Sequence, residues 1–99
     1  MLNINKTQKD STLTLALEGR LDTVTSPELE AELKQCMEGA DSLTMDFSKL
    51  EYISSAGLRV LLSAHKTMSR KGGMTIKHVN EIVSEVFDVT GFADILNIQ

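Results

Sequence analysis

One cysteine, one proline, two histidines and no long apolar run occur among the 99 residues, and each scarcity removes a class of chemistry. A lone Cys36 can close no internal disulfide and build no cysteine metal cluster. Its neighbours at helical spacing, Leu29, Leu33 and Met37, mark it as a small buried hydrophobe. With only His65 and His78, and no His, Asp or Glu spacing that recurs on one helix face, no metal site and no cofactor are expected. No apolar stretch approaches the ~20 residues that span a bilayer. The start, Met1 to Lys6, lacks a charged segment followed by an apolar one. A cytoplasmic location without a membrane partner is the resulting expectation. Basic runs and aromatic–basic interleaving are also missing, and the formal net charge is −4, which argues against nucleic acid as a partner. The densest basic group, Lys66, Arg70 and Lys71, falls where the last turn of a helix favours cations.

What is present is the patterning of a single folded domain over residues 1–99, with 41% hydrophobic and 24% charged residues. Residues 2–7 alternate as a strand, Lys9-Asp10-Ser11 turns, and Thr12 to Leu17 places Leu13, Leu15 and Leu17 on one face of a second, hairpin-paired strand. Gly19 to Thr25 reads as a polar loop. Ser26-Pro27-Glu28 supplies a capping hydroxyl, a proline at the first helical position and an acid in the first turn, and Gly39 ends that helix. A third strand covers about 43–47. A buried helix follows the bend at Ser54–Ser55 and runs to about Arg70, stopping at Gly72-Gly73. Met74 to Val79 alternates as a fourth strand. Asn80 caps a third helix, with Val83, Val86 and Phe87 inward, closed by Gly91. Phe92 to Ile98 forms a last helical turn or strand. The order predicts an α/β protein: a mixed sheet of four to five strands against three to four helices, with parallel strands wherever a helix connects them.

The organising stretch runs from Asp46 to Leu62. Ser54 and Ser55 stand where the strand period gives way to helical spacing at Leu58, Leu61 and Leu62, so both hydroxyls sit at the positive end of a helix. A catalytic serine needs an adjacent base, and His65 is some ~15 Å along the helix from Ser55. The Gly-x-Ser-x-Gly elbow, the P-loop and the dinucleotide fingerprint are all missing, so no enzyme is expected. A modified serine fits better. A phosphate on Ser55 would meet free N–H groups and the helix dipole, a gain of about 0.3–1 kcal/mol. Its charge of about −2 would face Asp22 and Asp46 if, as in other α/β sheets, the strand ends gather there. The fold would survive while the surface turned strongly negative and repelled a partner.

Tyr52-Ile53-Ser54-Ser55-Ala56-Gly57-Leu58-Arg59-Val60-Leu61-Leu62, preceded by Asp46-Phe47-Ser48, resembles the signature of the STAS-domain anti-sigma-factor antagonists. Gly19-Arg20-Leu21-Asp22 is similar to that family's Gly-x-Leu-Asp loop, and Val86 to Phe92 to its last helix and stop. The resemblance implies a STAS-like single domain and a binding protein that sequesters an anti-sigma factor which is also a serine kinase. Phosphorylation of the serine two residues before the glycine, here Ser55, would abolish binding, and a serine phosphatase would restore it. It further implies a partner-binding surface of Asp22, Thr23, Asp46, Ser54, Ser55, Ala56 and Gly57. The chain departs from the pattern by carrying Ser54 where many regulated members have Asp, and Ala56 where they have Ser or Thr. Ser54 is therefore a second candidate acceptor. A non-phosphorylated adaptor subunit of a lipid-transport ATPase or larger signalling complex is the alternative role.

Overall fold

Leu13 and Leu15 lie opposite Leu43 and Met45 across a parallel pair, and this row sets the architecture. The computed structural model describes residues 2–99. Its elements are strand β1 (Leu2–Lys9), β2 (Thr12–Leu21), helix α1 (Ser26–Cys36), β3 (Ser42–Ile53), α2 (Ser55–Met68), β4 (Met74–Lys77), α3 (Glu81–Thr90) and β5 (Asn97–Ile98). One-turn 3₁₀ segments at Met37–Gly39 and Phe92–Asp94 follow α1 and α3. The sheet order is β1-β2-β3-β4-β5, antiparallel in the hairpin and parallel elsewhere. The expected mixed α/β sheet is therefore present, with five strands and three α-helices. The tail holds both the helical turn and the strand.

Side chains of one parity, Leu13, Leu15, Met45, Phe47, Met74 and Ile76, join Leu29, Leu33, Leu61, Ala64, Val83 and Phe87 in one buried cluster. The other parity, Thr14, Ala16, Thr44, Asp46 and Thr75, is half-exposed. The helices thus pack on one face of the sheet, and the alternation of β2 and β3 decides which face that is.

β2 and β3 are longer than their alternation suggests. The period-two pattern of β3 runs through Leu43, Met45 and Phe47 and breaks at exposed Ser48 and Lys49, after which Leu50 and Ile53 are buried, three residues apart. The register with β2 shifts at that point, Ala16 pairing Asp46 and Glu18 pairing Lys49. An extra residue in β3 at this bulge moves the buried position to Leu50, and a second shift, between Gly19 and Arg20, returns burial to the first parity at Ile53, so a simple alternation ends too early. Gly19, Arg20 and Leu21, expected in a loop, are strand residues paired with Leu50, Tyr52 and Ile53.

Other boundaries move for local reasons. β4 stops at Lys77 instead of Val79 because His78 takes a left-handed φ of 63°, which no strand continues. α2 ends at Met68, so Arg70 and Lys71 lie beyond it. The Lys71 ammonium instead donates to the carbonyls of Met37 (2.6 Å) and Ala40 (3.1 Å) and closes the end of α1. Cys36 is half-buried, its Sγ 3.6 Å from Glu32 Oε1, and so is not fully in the core. Asn80 and Gly91 act as expected: Asn80 Oδ1 accepts from Val83 N at 2.8 Å, and Gly91 takes φ 81°.

Candidate functional site

The loop between β2 and α1 is organised by Asp22. Its Oδ1 accepts hydrogen bonds from Val24 N and Thr25 N, each at 3.0 Å, an Asx-turn. Thr25, 4% exposed, donates its hydroxyl to Arg20 O at 2.8 Å and accepts from Asp22 N at 2.9 Å. The N–H donated by Thr25, with help from that of Val24 and the Arg20 guanidinium 3.9 Å away, holds the Asp22 carboxyl below the usual carboxylate range. Arg20 in turn lies 4.4 Å above the ring of Tyr52, its cross-strand partner. With its base pinned this way, the loop presents Thr23 and Val24 outward, Val24 being 81% exposed.

The start of α1 differs from expectation. Thr25 already has helical dihedrals (φ −89°, ψ −20°), so Ser26 is the first helical residue and Pro27 the second. The Ser26 hydroxyl therefore does not cap forward. It donates back to Asp22 O, tying the helix to the loop.

Ser54 and Ser55 have different jobs. Ser54 is extended (φ −102°, ψ 175°), and its Oγ accepts from Gly57 N at 3.4 Å. Its own N–H donates to Leu21 O at 2.9 Å, and its carbonyl accepts from Leu58 N at 3.0 Å. Ser54 is thus the N-cap and is anchored through three atoms. Ser55 is the first residue of α2 and exposed. Gly57 is buried, and a Cβ there would lie 2.8 Å from Leu21 Cγ and 2.9 Å from Ile53 Cγ1. Its lack of a side chain lets the helix start sit directly on the ends of β2 and β3.

The Ser54 N–H bond to Leu21 O places the start of α2 next to the Asp22 loop. Thr23, Ser26, Pro27, Glu30, Ala56 and Arg59 share a shallow depression of about 200 Å³ between the first turns of α1 and α2. Asp22, Thr23, Ser54, Ser55 and Ala56 thus share one surface, with Gly57 beneath it. Asp46 does not join them. β3 continues seven residues past it, roughly 20 Å at about 3.3 Å per residue, and it sits beside the end of β4, opposite Lys77. There its Oδ1 accepts from Ser48 N at 2.9 Å, and that N–H holds its carboxyl below the ordinary range. The expected gathering of Asp46 with the serines fails because β3 keeps pairing with β2 past the bulge, as far as Ile53.

Two residues of this surface receive no role from the sequence motifs. Val24 is apolar in a polar loop, which is its only signal. Arg59 lies one turn after Ser55, and the i, i+4 spacing could have drawn notice to it. Among the described residues no three His, Cys, Asp or Glu side chains converge as a metal site. No described helix is long and apolar enough to cross a membrane.

A Bordetella bronchiseptica protein, BtrV, provisionally named an anti-sigma factor antagonist, is 36% identical over 88 residues, covering 87% of this chain and 76% of its own. The anti-sigma-B factor antagonist of Bacillus subtilis is 26% identical over 99 residues, covering 99% of this chain and 91% of its own. Among solved structures, an anti-sigma factor antagonist from Mycobacterium paratuberculosis superposes with a TM-score of 0.89 at 19% identity, covering 99% of this chain and 85% of that one. The Bacillus cell fate determinant SpoIIAA in its phosphorylated form gives 0.75 at 15% identity, covering 98% and 91%. These two share the fold. The STAS domain family model matches residues 3–99, and the chain belongs to the STAS domain family.

Proposed function

We propose that this chain is an anti-sigma factor antagonist that binds an anti-sigma factor with serine kinase activity and is switched off by phosphorylation of Ser55. The observation that carries the reading is the exposed Ser55 at the N-terminus of α2, on the same surface as the Asp22–Thr25 loop. The names of its relatives point the same way. Ser55 is a better acceptor than Ser54, whose hydroxyl is engaged as the cap. A phosphate there would meet the free N–H groups of the first turn and the Arg59 guanidinium one turn on. Asp22 lies in the loop that the Ser54 N–H bond to Leu21 O brings beside the helix start, and the distant Asp46 contributes little. The modified protein would therefore stay folded while its contact surface gained a charge of about −2, enough to repel a partner that had docked on a neutral hydroxyl. A serine phosphatase would reset the state. Because the phosphoryl donor is ATP, the proposal places the chain in the cytoplasm.

Treating the protein with its cognate kinase and ATP should add one phosphate, located at Ser55 by mass spectrometry. Ser55→Asp should weaken kinase binding at least tenfold, and Ser55→Ala should leave it constitutive. Equal affinities of the two variants would refute the switch. The residues around the serine give one observation in favour of a second reading: Ser54 replaces an acid and Ala56 a hydroxyl of the regulated pattern. A non-phosphorylated adaptor of a lipid-transport ATPase or signalling complex would remain unmodified throughout that treatment.

A further inference from the structure

Helix α3 combines two features that stability alone does not call for. Ile82 is 60% and Val89 80% exposed, seven residues apart on one face, with half-buried Val86 between them. With Glu85 and Thr90 they line a shallow depression of about 290 Å³. The second feature is charge. Glu81, Glu85, Asp88 and Asp94 are the only Asp, Glu, Lys or Arg side chains after Lys77. The ten other acidic residues are matched by the ten basic ones, so the whole net charge of −4 resides on α3 and the turn after it. Glu81 suits the positive end of the helix, but Asp88 sits near the negative end, where no basic residue is present.

We propose that the Ile82–Val86–Val89 face is a docking surface for a basic amphipathic segment of another protein, its apolar side chains on the stripe and its Lys or Arg on the acidic rim. A second copy of this chain is the poorer fit. It would bring four negative charges against four. This surface is independent of Ser55.

The probe is a synthetic 14-residue helix with leucines on one face and lysines on the other, titrated into the ¹⁵N-labelled full chain. Amide shifts should concentrate on residues 81–90, and binding should weaken as salt rises. Ile82→Ser with Val89→Ser, or Glu85→Lys with Asp88→Lys, should weaken it about tenfold or more, with circular dichroism showing the fold intact. Ser55→Asp should change nothing, so the result stands apart from the proposed switch. A peptide with glutamates for lysines, or the same composition scrambled to disperse the leucines, should not bind. Three outcomes would overturn the proposal. The scrambled peptide could bind equally, the shifts could centre elsewhere, or sedimentation could reveal a dimer that Val89→Glu abolishes, making the occupant a second copy.

Discussion

Replacing Gly57 by alanine tests how the start of α2 is seated. The added Cβ would stand 2.8 and 3.0 Å from Leu21 Cγ and Cδ2 and 2.9 Å from Ile53 Cγ1, where carbon contacts prefer about 3.5–4.0 Å. Leu21 and Ile53 are 0% and 1% exposed, so neither side chain can swing into solvent. Overpacking of this kind costs about 1–3 kcal/mol. Alanine's better helix propensity returns up to about 1 kcal/mol. The net destabilisation expected is about 1–2 kcal/mol, or roughly 5–15 °C in Tm for a domain of this size. Urea unfolding followed by circular dichroism, with calorimetry for Tm, measures it. The mechanism is checked in a Leu21→Ala background. That change alone should cost about 2–5 kcal/mol, and because it removes two of the three close contacts, the extra methyl should there be neutral or stabilising. A Gly57→Ala variant as stable as the parent, or one with the same cost in both backgrounds, would refute the packing argument.

Ser54→Ala should lower stability by about 0.5–1 kcal/mol, the lower part of the N-cap range because its bond is long, while Ser55→Ala should stay within about 0.5 kcal/mol; equal losses in urea titrations would contradict the division of roles. Asn80→Ala removes both the cap of α3 and the side-chain N–H that donates to Leu50 O at 2.7 Å, so a loss of about 1–2 kcal/mol is expected by the same method. Asp22 should titrate below its ordinary 3.8. Since its folded pKa is depressed, the order it gives the loop is present above the unfolded value and is lost as pH falls through the folded one. Carboxyl ¹³C shifts, tracked with the Val24 and Thr25 amides, should share that low midpoint, and one at or above 3.8 would count against the Asx-turn.

Leu13, Leu15, Leu17 and Leu43, Met45, Phe47 announce two strands by alternation alone. Asn80 and Gly91 announce the ends of α3, and the Ser54–Ser55 pair a helix start. Such signals are local, because a cap or a periodic face depends on residues within a turn or two of itself. The bulge at Ser48–Lys49 is different. It exists only because β2 pairs with β3 past the break, which carries both strands onward and removes Asp46 from the serines. The start of α1 depends on similar contacts: Thr25 becomes helical through contacts with Arg20 and Asp22, and Ser26 is drawn back onto the Asp22 carbonyl. The roles of the two serines also needed three dimensions. Both could cap from sequence, and the bond between Ser54 N and Leu21 O assigns the anchor to one and leaves the other facing solvent. Gly57 in the signature motif could equally have served a partner or the core, and only the nearness of Leu21 and Ile53 shows the space it leaves. Periodicity, caps and breakers were thus decided by the chain itself. Register, the placement of Asp46 and the exposure of Ser55 and of the α3 stripe came from packing between segments far apart in sequence, where no local pattern reaches.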